Sequence, residues 1–205
     1  MRKVTITYLG HSCFCLEAGG FRMILDPYED GTVPGLDNLR AEAEAVFCSH
    51  DHFDHNFTKA VTLTGRGKLP CAVTELATDH DDQGGALRGP NTVRIFDFGG
   101  LRIAHMGDIG RALRPDEIRA LQGVDCLLIP VGGYFTVDAA QAKEMVDQLQ
   151  PRVTIPMHYR TETTGFDAIS RLEDFTGLFD AVVDGGDTLE LTENTPAQVL
   201  VLHKK

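Results

Sequence analysis

The chain has 205 residues, of which 42% are hydrophobic and 24% charged, ordinary values for a folded globular protein that exclude a disordered chain. Nineteen Lys and Arg against thirty Asp and Glu leave a formal net charge of −11, which disfavours nucleic-acid or anionic-membrane partners. No apolar run reaches the length of about 18 residues that a membrane span needs, and the opening Met1-Arg2-Lys3-Val4-Thr5 lacks the apolar stretch of a signal peptide.

The length predicts one domain over residues 1–205. Five cysteines, an odd number without a Cys-x-x-Cys pair, fit reduced thiols and a cytoplasmic location. Along the chain, Val4, Ile6 and Tyr8 alternate with Thr5 and Thr7, the period of a half-buried strand over 3–9. Further strands are expected at 13–16 and 21–25, with turns at Gly10-His11-Ser12 and Gly19-Gly20. A short helix is read at 39–43 and a buried strand at 45–48. Strands at 92–96 and 101–104 are joined through Phe98-Gly99-Gly100. Pro115-Asp116-Glu117 opens a helix, 126–131 is a continuous apolar strand, and Asp138 caps a helix over 139–149. A strand at 152–156, a helix at 166–175 and strands at 181–183, 188–191 and 199–202 complete the order. Strands and helices in this succession predict a layered α/β sandwich.

The chemistry concentrates in His50-Asp51-His52-Phe53-Asp54-His55, three imidazoles and two carboxylates in six residues after an apolar strand. Neutral imidazole and carboxylate are ligands for zinc and similar divalent ions. In extended chain His50 and His52 point to one side, and a turn after Phe53 sends Asp54 and His55 to a neighbouring point. Two such pairs suggest two adjacent ions rather than one closed cage.

This His-x-His-x-Asp-His pattern resembles the metallo-β-lactamase superfamily, and the resemblance extends over nearly the whole chain. Tyr8-Leu9-Gly10-His11-Ser12, Ile24-Leu25-Asp26-Pro27, His105-Met106-Gly107-Asp108-Ile109-Gly110 and Pro156-Met157-His158-Tyr159 look like that superfamily's other motifs, the third of them like the branch that includes L-ascorbate-6-phosphate lactonase. The resemblance implies a four-layer αβ/βα sandwich. It implies His50, His52 and His80 on a first ion, Asp54, His55 and His158 on a second, Asp108 bridging them, and Asp26 behind the ligands. His11 and His105 are candidates for supporting roles. The loop Gly132-Gly133-Tyr134-Phe135-Thr136 is a candidate pocket wall.

The implied activity is metal-dependent hydrolysis of a small, anionic ester, lactone or phosphoester. A hydroxide bridging two divalent ions is the nucleophile, with Asp54 and Asp108 as the catalytic carboxylates. Zinc is the default ion, with manganese, iron or nickel as alternatives. Only 24 residues separate His55 from His80, which leaves little chain for an exosite. Arg88 and Arg160 are the candidate anchors for an anionic group. The rival readings are a phosphodiesterase or ribonuclease-type hydrolase, and a metal-binding regulatory protein without turnover. The expected partner is a small molecule rather than nucleic acid or membrane, with self-association left open.

Overall fold

The structure, a computed structural model, describes residues 2–204. Two sheets face each other. The first has five strands in the order β13-β1-β2-β3-β5, where β1 is Lys3–Gly10, β2 Cys13–Ala18, β3 Phe21–Leu25, β5 Ala45–Phe47 and β13 Thr188–Thr192. The second has seven in the order β12-β14-β11-β10-β9-β8-β7. Here β7 is Ala72–Asp79, β8 Pro90–Asp97, β9 Arg102–His105, β10 Cys126–Pro130, β11 Val153–Met157, β12 Val183–Asp184 and β14 Gln198–Val201. β9, β10, β11, β14 and β12 run parallel to their neighbours, whereas β7, β8 and β9 form an antiparallel meander.

The alternation in β1 sends Val4, Ile6 and Tyr8 inward, where they meet Phe14, Leu16, Met23 and Leu25 of their own sheet and Ile103, Leu128 and Ile155 of the opposite one. Each fully buried side chain of this size contributes about 1.5–3 kcal/mol. The continuous apolar run of β10 has the reason expected of a parallel strand covered on both sides. Cys126 and Leu128 face the other sheet, while Leu127 and Ile129 face the helices α1 (Pro115–Leu121), α2 (Ala139–Leu149) and α3 (Leu172–Thr176). Asp138 caps α2 by accepting from the Gln141 amide at 2.8 Å.

The outer face of the first sheet is covered differently. A two-stranded ribbon, β4 (Ala41–Ala43) with β6 (Val61–Leu63), packs there with Tyr28, Val33 and Leu39. The helix expected at 39–43 is therefore a strand: Ala41, Glu42 and Ala43 pair in parallel register with Val61, Thr62 and Leu63, long-range pairing that local propensity does not encode. The helix expected at 166–175 is confined to Leu172–Thr176. Its first half is held as loop because the Ser170 amide donates to the Gly132 carbonyl and Arg160 bridges Arg171. β7 went unread because its pattern does not alternate: the adjacent Thr74 and Glu75, on opposite faces, are both exposed. No helix is long and apolar enough to cross a membrane among the described residues.

Candidate metal centre

Six strands deliver their next residues to one edge of the sandwich. His11 follows β1, Asp26 follows β3, His50 comes three residues after β5, His80 follows β7, Asp108 comes three residues after β9, and His158 follows β11. Several of these junctions are backbone-strained. His11, Asp26 and His158 have φ of 56°, 44° and 53°, a left-handed region that costs an ordinary residue energy and that persists where surrounding bonds impose it. The register slip in β1 between Tyr8 and Gly10 precedes His11. The His11 carbonyl then accepts from Tyr8 Oη and from the His158 amide, both at 3.1 Å, which ties the two histidine turns together.

Asp108 lies at the centre. Its Oδ2 is 3.2 Å from His55 Nε2, 3.2 Å from His158 Nε2, 3.4 Å from His80 Nε2 and 4.0 Å from His50 Nε2. Two sets of potential ligand atoms lie around it, each set within 4.8 Å: His50, His52 and His80, and His11, Asp54, His55 and His158. The structure thus brings together all seven side chains expected as ligands, and adds His11 to the second set. His11 Nε2 is 3.2 Å from Asp54 Oδ2, which fixes that carboxylate.

Buried polar atoms are normally hydrogen-bonded. Eight buried side-chain atoms among the described residues have no such partner: seven belong to His11, His50, His55, His80, Asp108 and His158, and the eighth is Ser12 Oγ. Convergent, unpartnered imidazole nitrogens and a carboxylate oxygen are the donor set that a divalent ion takes, so these residues fit the metal that the sequence implies.

Burial is the main influence on the imidazoles. It pushes His50 down to about 3 and His11 to about 4, and it lowers His80 and His105; neutral imidazole is the ligating form. For His55 burial also favours the neutral form, but the adjacent Asp108 and Asp26 carboxylates outweigh it and raise the pKa well above the usual value. Burial opposes the charge on Asp108 and Asp54. The histidines beside them prevail, His158 and His55 for Asp108 and His11 and His55 for Asp54, and hold both well below the usual carboxylate range.

Asp26 braces the site from behind. Its Oδ2 accepts from His55 Nδ1 at 2.8 Å and from Ser49 Oγ at 2.5 Å, and its Oδ1 accepts the Ser49 amide at 2.6 Å. Ser49 Oγ is in turn 2.9 Å from His50 Nδ1. With both Nδ1 atoms protonated towards Asp26, directly or through Ser49, the Nε2 lone pairs of His55 and His50 point towards Asp108. Sequence reasoning missed Ser49; a hydroxyl beside a ligand histidine is the available signal. It also missed Asn91, a buried side chain whose Oδ1 accepts the Asp108 amide at 2.9 Å. The glycines of the Asp108 motif have steric causes. A Cβ at Gly107 would collide with the side chains of Asn91 and Ser49, and one at Gly110 would overlap the His80 backbone.

Two expected residues have other roles. His105 does not contact the ligands: its Nε2 donates to the Ser12 carbonyl at 2.9 Å and its Nδ1 accepts the Gly107 amide at 3.2 Å. Arg160 does not line the pocket above the centre, because its Nε is committed to the Ile169 carbonyl at 2.8 Å. Arg88 does line it. The acidic stretch after His80 is also more than a solvated loop: Asp81 accepts the amides of Gln83, Gly85, Leu87 and Arg88 at 2.8–2.9 Å.

Residues 5–158 match the family model described as the β-lactamase superfamily domain. The chain belongs to the metallo-β-lactamase superfamily of metal-dependent hydrolases. It is similar over 98% of its length to a protein from Thermotoga maritima, assigned as a zinc-dependent hydrolase of this superfamily; identity is 30%, the TM-score is 0.76 and all of that chain is covered. It is also 28% identical to a UPF0173 metal-dependent hydrolase of Thermofilum pendens, over 76% of this chain and 83% of the relative. A UPF0173 metal-dependent hydrolase of Thermus thermophilus is 27% identical over 77% and 84%. The superfamily's sandwich accounts for the ligand-bearing strand ends: metal sites grafted on loops at one edge need a rigid pair of sheets beneath them.

Proposed function

We propose that the protein is a dinuclear hydrolase in which His50, His52 and His80 hold one divalent ion, Asp54, His55 and His158 hold the second, and Asp108 lies between them. The observation that carries this reading is the convergence of four imidazole Nε2 atoms on Asp108 Oδ2, at 3.2–4.0 Å, three of them (His50, His55 and His158) without a hydrogen-bond partner. Six terminal ligands and a bridge exceed what one tetrahedral ion uses. Zinc suits this nitrogen and oxygen set, and manganese, iron and nickel share it.

When bound, such ions supply Lewis acidity, polarising an acceptor oxygen and making hydroxide available near neutral pH. The chain's own residues do the rest. Asp108 contributes the negative charge that offsets two neighbouring cations. Asp54 is held by His11, and the same Oδ2 lies 3.6 Å from His55 Nε2, so this carboxylate faces the second ligand group. Asp26 keeps the proton of His55 on Nδ1, so that Nε2 remains a lone-pair donor. Hydrolysis adds OH from water to an acyl carbon or phosphorus, and the leaving oxygen takes the remaining proton. No serine or cysteine nucleophile is required.

The test is metal analysis and turnover together. Protein loaded with zinc or manganese and freed of excess ion is expected to carry about two ions per chain and to hydrolyse members of a panel of esters, lactones and phosphoesters. One ion or none, with the fold intact, overturns the dinuclear reading. Two ions with no turnover on any substrate favours a metal-binding protein that does no catalysis.

A further inference from the structure

The pocket above the metal centre has a composition that the metal site does not require. It holds about 260 Å³, just below the range of about 300–1,000 Å³ usual for ligand pockets. His52, His80, Asp54 and Asp108 form its floor, and its walls are Phe53, Leu87, Phe135, Phe166 and Arg88. Three of these are phenylalanines in a chain that is only 7% aromatic. They form a connected group: Phe166 meets Phe53 at 6.5 Å and Phe135 at 6.1 Å between centroids, both edge-on. Tyr134, strained at φ 58° and 67% exposed, stacks edge-on against Phe135 at 4.7 Å. Phe53 and Leu87 are 55% and 61% exposed, so apolar surface is held open to solvent around the mouth.

These walls are built in rather than accidental. Phe53 sits inside the ligand motif, between His52 and Asp54. Leu87 and Arg88 are set by Asp81, which binds both of their amides. Scattered exposed hydrophobic residues need no explanation, but a contiguous apolar rim around a concave polar floor marks a binding site. Arg88 is the wall's one charge. Its guanidinium lies over the Phe135 ring at 5.8 Å, and no carboxylate lies within ion-pair distance of it among the described residues. A guanidinium laid on an aromatic face keeps its N–H edge free for a carboxylate or phosphate.

We infer that the pocket takes a small amphiphilic anion. The substrate is an ester whose apolar group, the size of a phenyl ring or a short alkyl chain, packs on Phe53, Leu87, Phe135 and Phe166, while a negatively charged group meets Arg88. This rests on the hydrolytic reading above and narrows it. A sugar phosphate fits poorly, because the walls offer no hydroxyl or amide side chain to replace the hydration of its hydroxyls.

Phosphonates bind without being hydrolysed, so they separate recognition from turnover. Zinc-loaded protein is titrated calorimetrically with methyl-, butyl-, hexyl- and phenylphosphonate. Affinity is expected to rise about 2–4-fold per methylene until the pocket is full, with phenylphosphonate at least about 10-fold tighter than methylphosphonate. Phe135→Ala and Leu87→Ala are expected to flatten that rise with zinc content unchanged. Leu87 is exposed, so its variant tests the wall even where Phe135→Ala impairs folding. Arg88→Ala is expected to weaken every member by a similar factor and leave the slope intact. Binding without dependence on the apolar group overturns the inference alone. Loaded protein that binds none of the four also overturns the inference, whereas protein that fails to retain zinc, read by metal analysis before the titration, overturns the metal-site reading instead.

Discussion

The two ligand groups differ in how they are held. His50, His52 and His80 meet ring against ring at 4.5–5.0 Å, and His52 is half-buried and faces the pocket. His11, Asp54, His55 and His158 are all buried, and they are cross-linked: His11 to Asp54 by side chain, His11 to His158 by backbone, His55 to Asp26. One group is a local motif plus one residue from β7. The other is assembled from three separated strand junctions, two of them strained. On the dinuclear proposal the difference assigns tasks: the buried, cross-linked group would be prebuilt, and the group that lines the pocket would face whatever enters it. Asp26 and Asp108 belong to neither group and serve both.

Removing the shared centre gives the largest expected effect. Asp108→Asn keeps the side-chain shape and the Asn91 bond to its backbone amide, but it deletes the charge between the two ions. Turnover is expected to fall by about 100-fold or more, with a Tm near that of the parent protein. Kinetics beside thermal melting checks this; near-normal turnover at full metal content would remove Asp108 from the mechanism.

The brace can be divided. Asp26→Asn disturbs His55 directly and His50 through Ser49, and is expected to weaken both ions by about 10–100-fold. Ser49→Ala removes the hydroxyl that joins His50 to Asp26 but leaves the direct Asp26–His55 bond, so it is expected to weaken one ion more than the other. Competition against a chelator of known affinity, read as ions retained per chain, separates the cases. Equal weakening of both ions in Ser49→Ala would mean that the two groups are not independent.

The contrast between the groups also decides what was legible in the sequence. His50, His52, Asp54 and His55 declare themselves because ligand spacing within one turn is a local property. His80, Asp108 and His158 rest on resemblance in the sequence, because β7, β9 and β11, alternate strands of the seven-stranded sheet, must be assembled before the three meet. His11 was legible as a turn residue but not as a neighbour of Asp54, which is 43 positions away. Arg160 misled for the converse reason: proximity in sequence to His158 does not orient a side chain, and Arg160 turns to the Ile169 carbonyl. The strand alternation of β1, the proline start of α1 and the cap of α2 were readable; the ribbon of β4 with β6 was not, since its parallel register is set by partners 20 residues apart.

An effect on stability alone, with no bearing on turnover, concerns the metal-free protein and compares one histidine from each group. Burial lowers His50 to about 3 and His11 to about 4, against about 6.5 in an unfolded chain. Between those limits the unfolded chain binds a proton that the folded protein does not, so stability rises with pH there and falls on acidification. Each is fully favourable above about pH 6.5, and the loss ends near pH 4 for His11 and near pH 3 for His50. His55 acts in the opposite sense. Its pKa is raised by Asp108 and Asp26, so its contribution is complete below the unfolded value and is lost as pH rises through the folded one. Chelator-treated protein is therefore expected to lose stability from pH 6.5 to 4, by on the order of 2–3 kcal/mol per lowered histidine, His55 being already at its full contribution over that range. His11→Asn, close in size but not titrating, is expected to flatten the curve down to about pH 4, and His50→Asn to flatten it further, towards pH 3. Denaturant melts at half-unit pH steps read this directly. Parallel curves for the parent and both variants would mean that neither imidazole is held neutral by burial, and would dissolve the distinction between a prebuilt group and an open one.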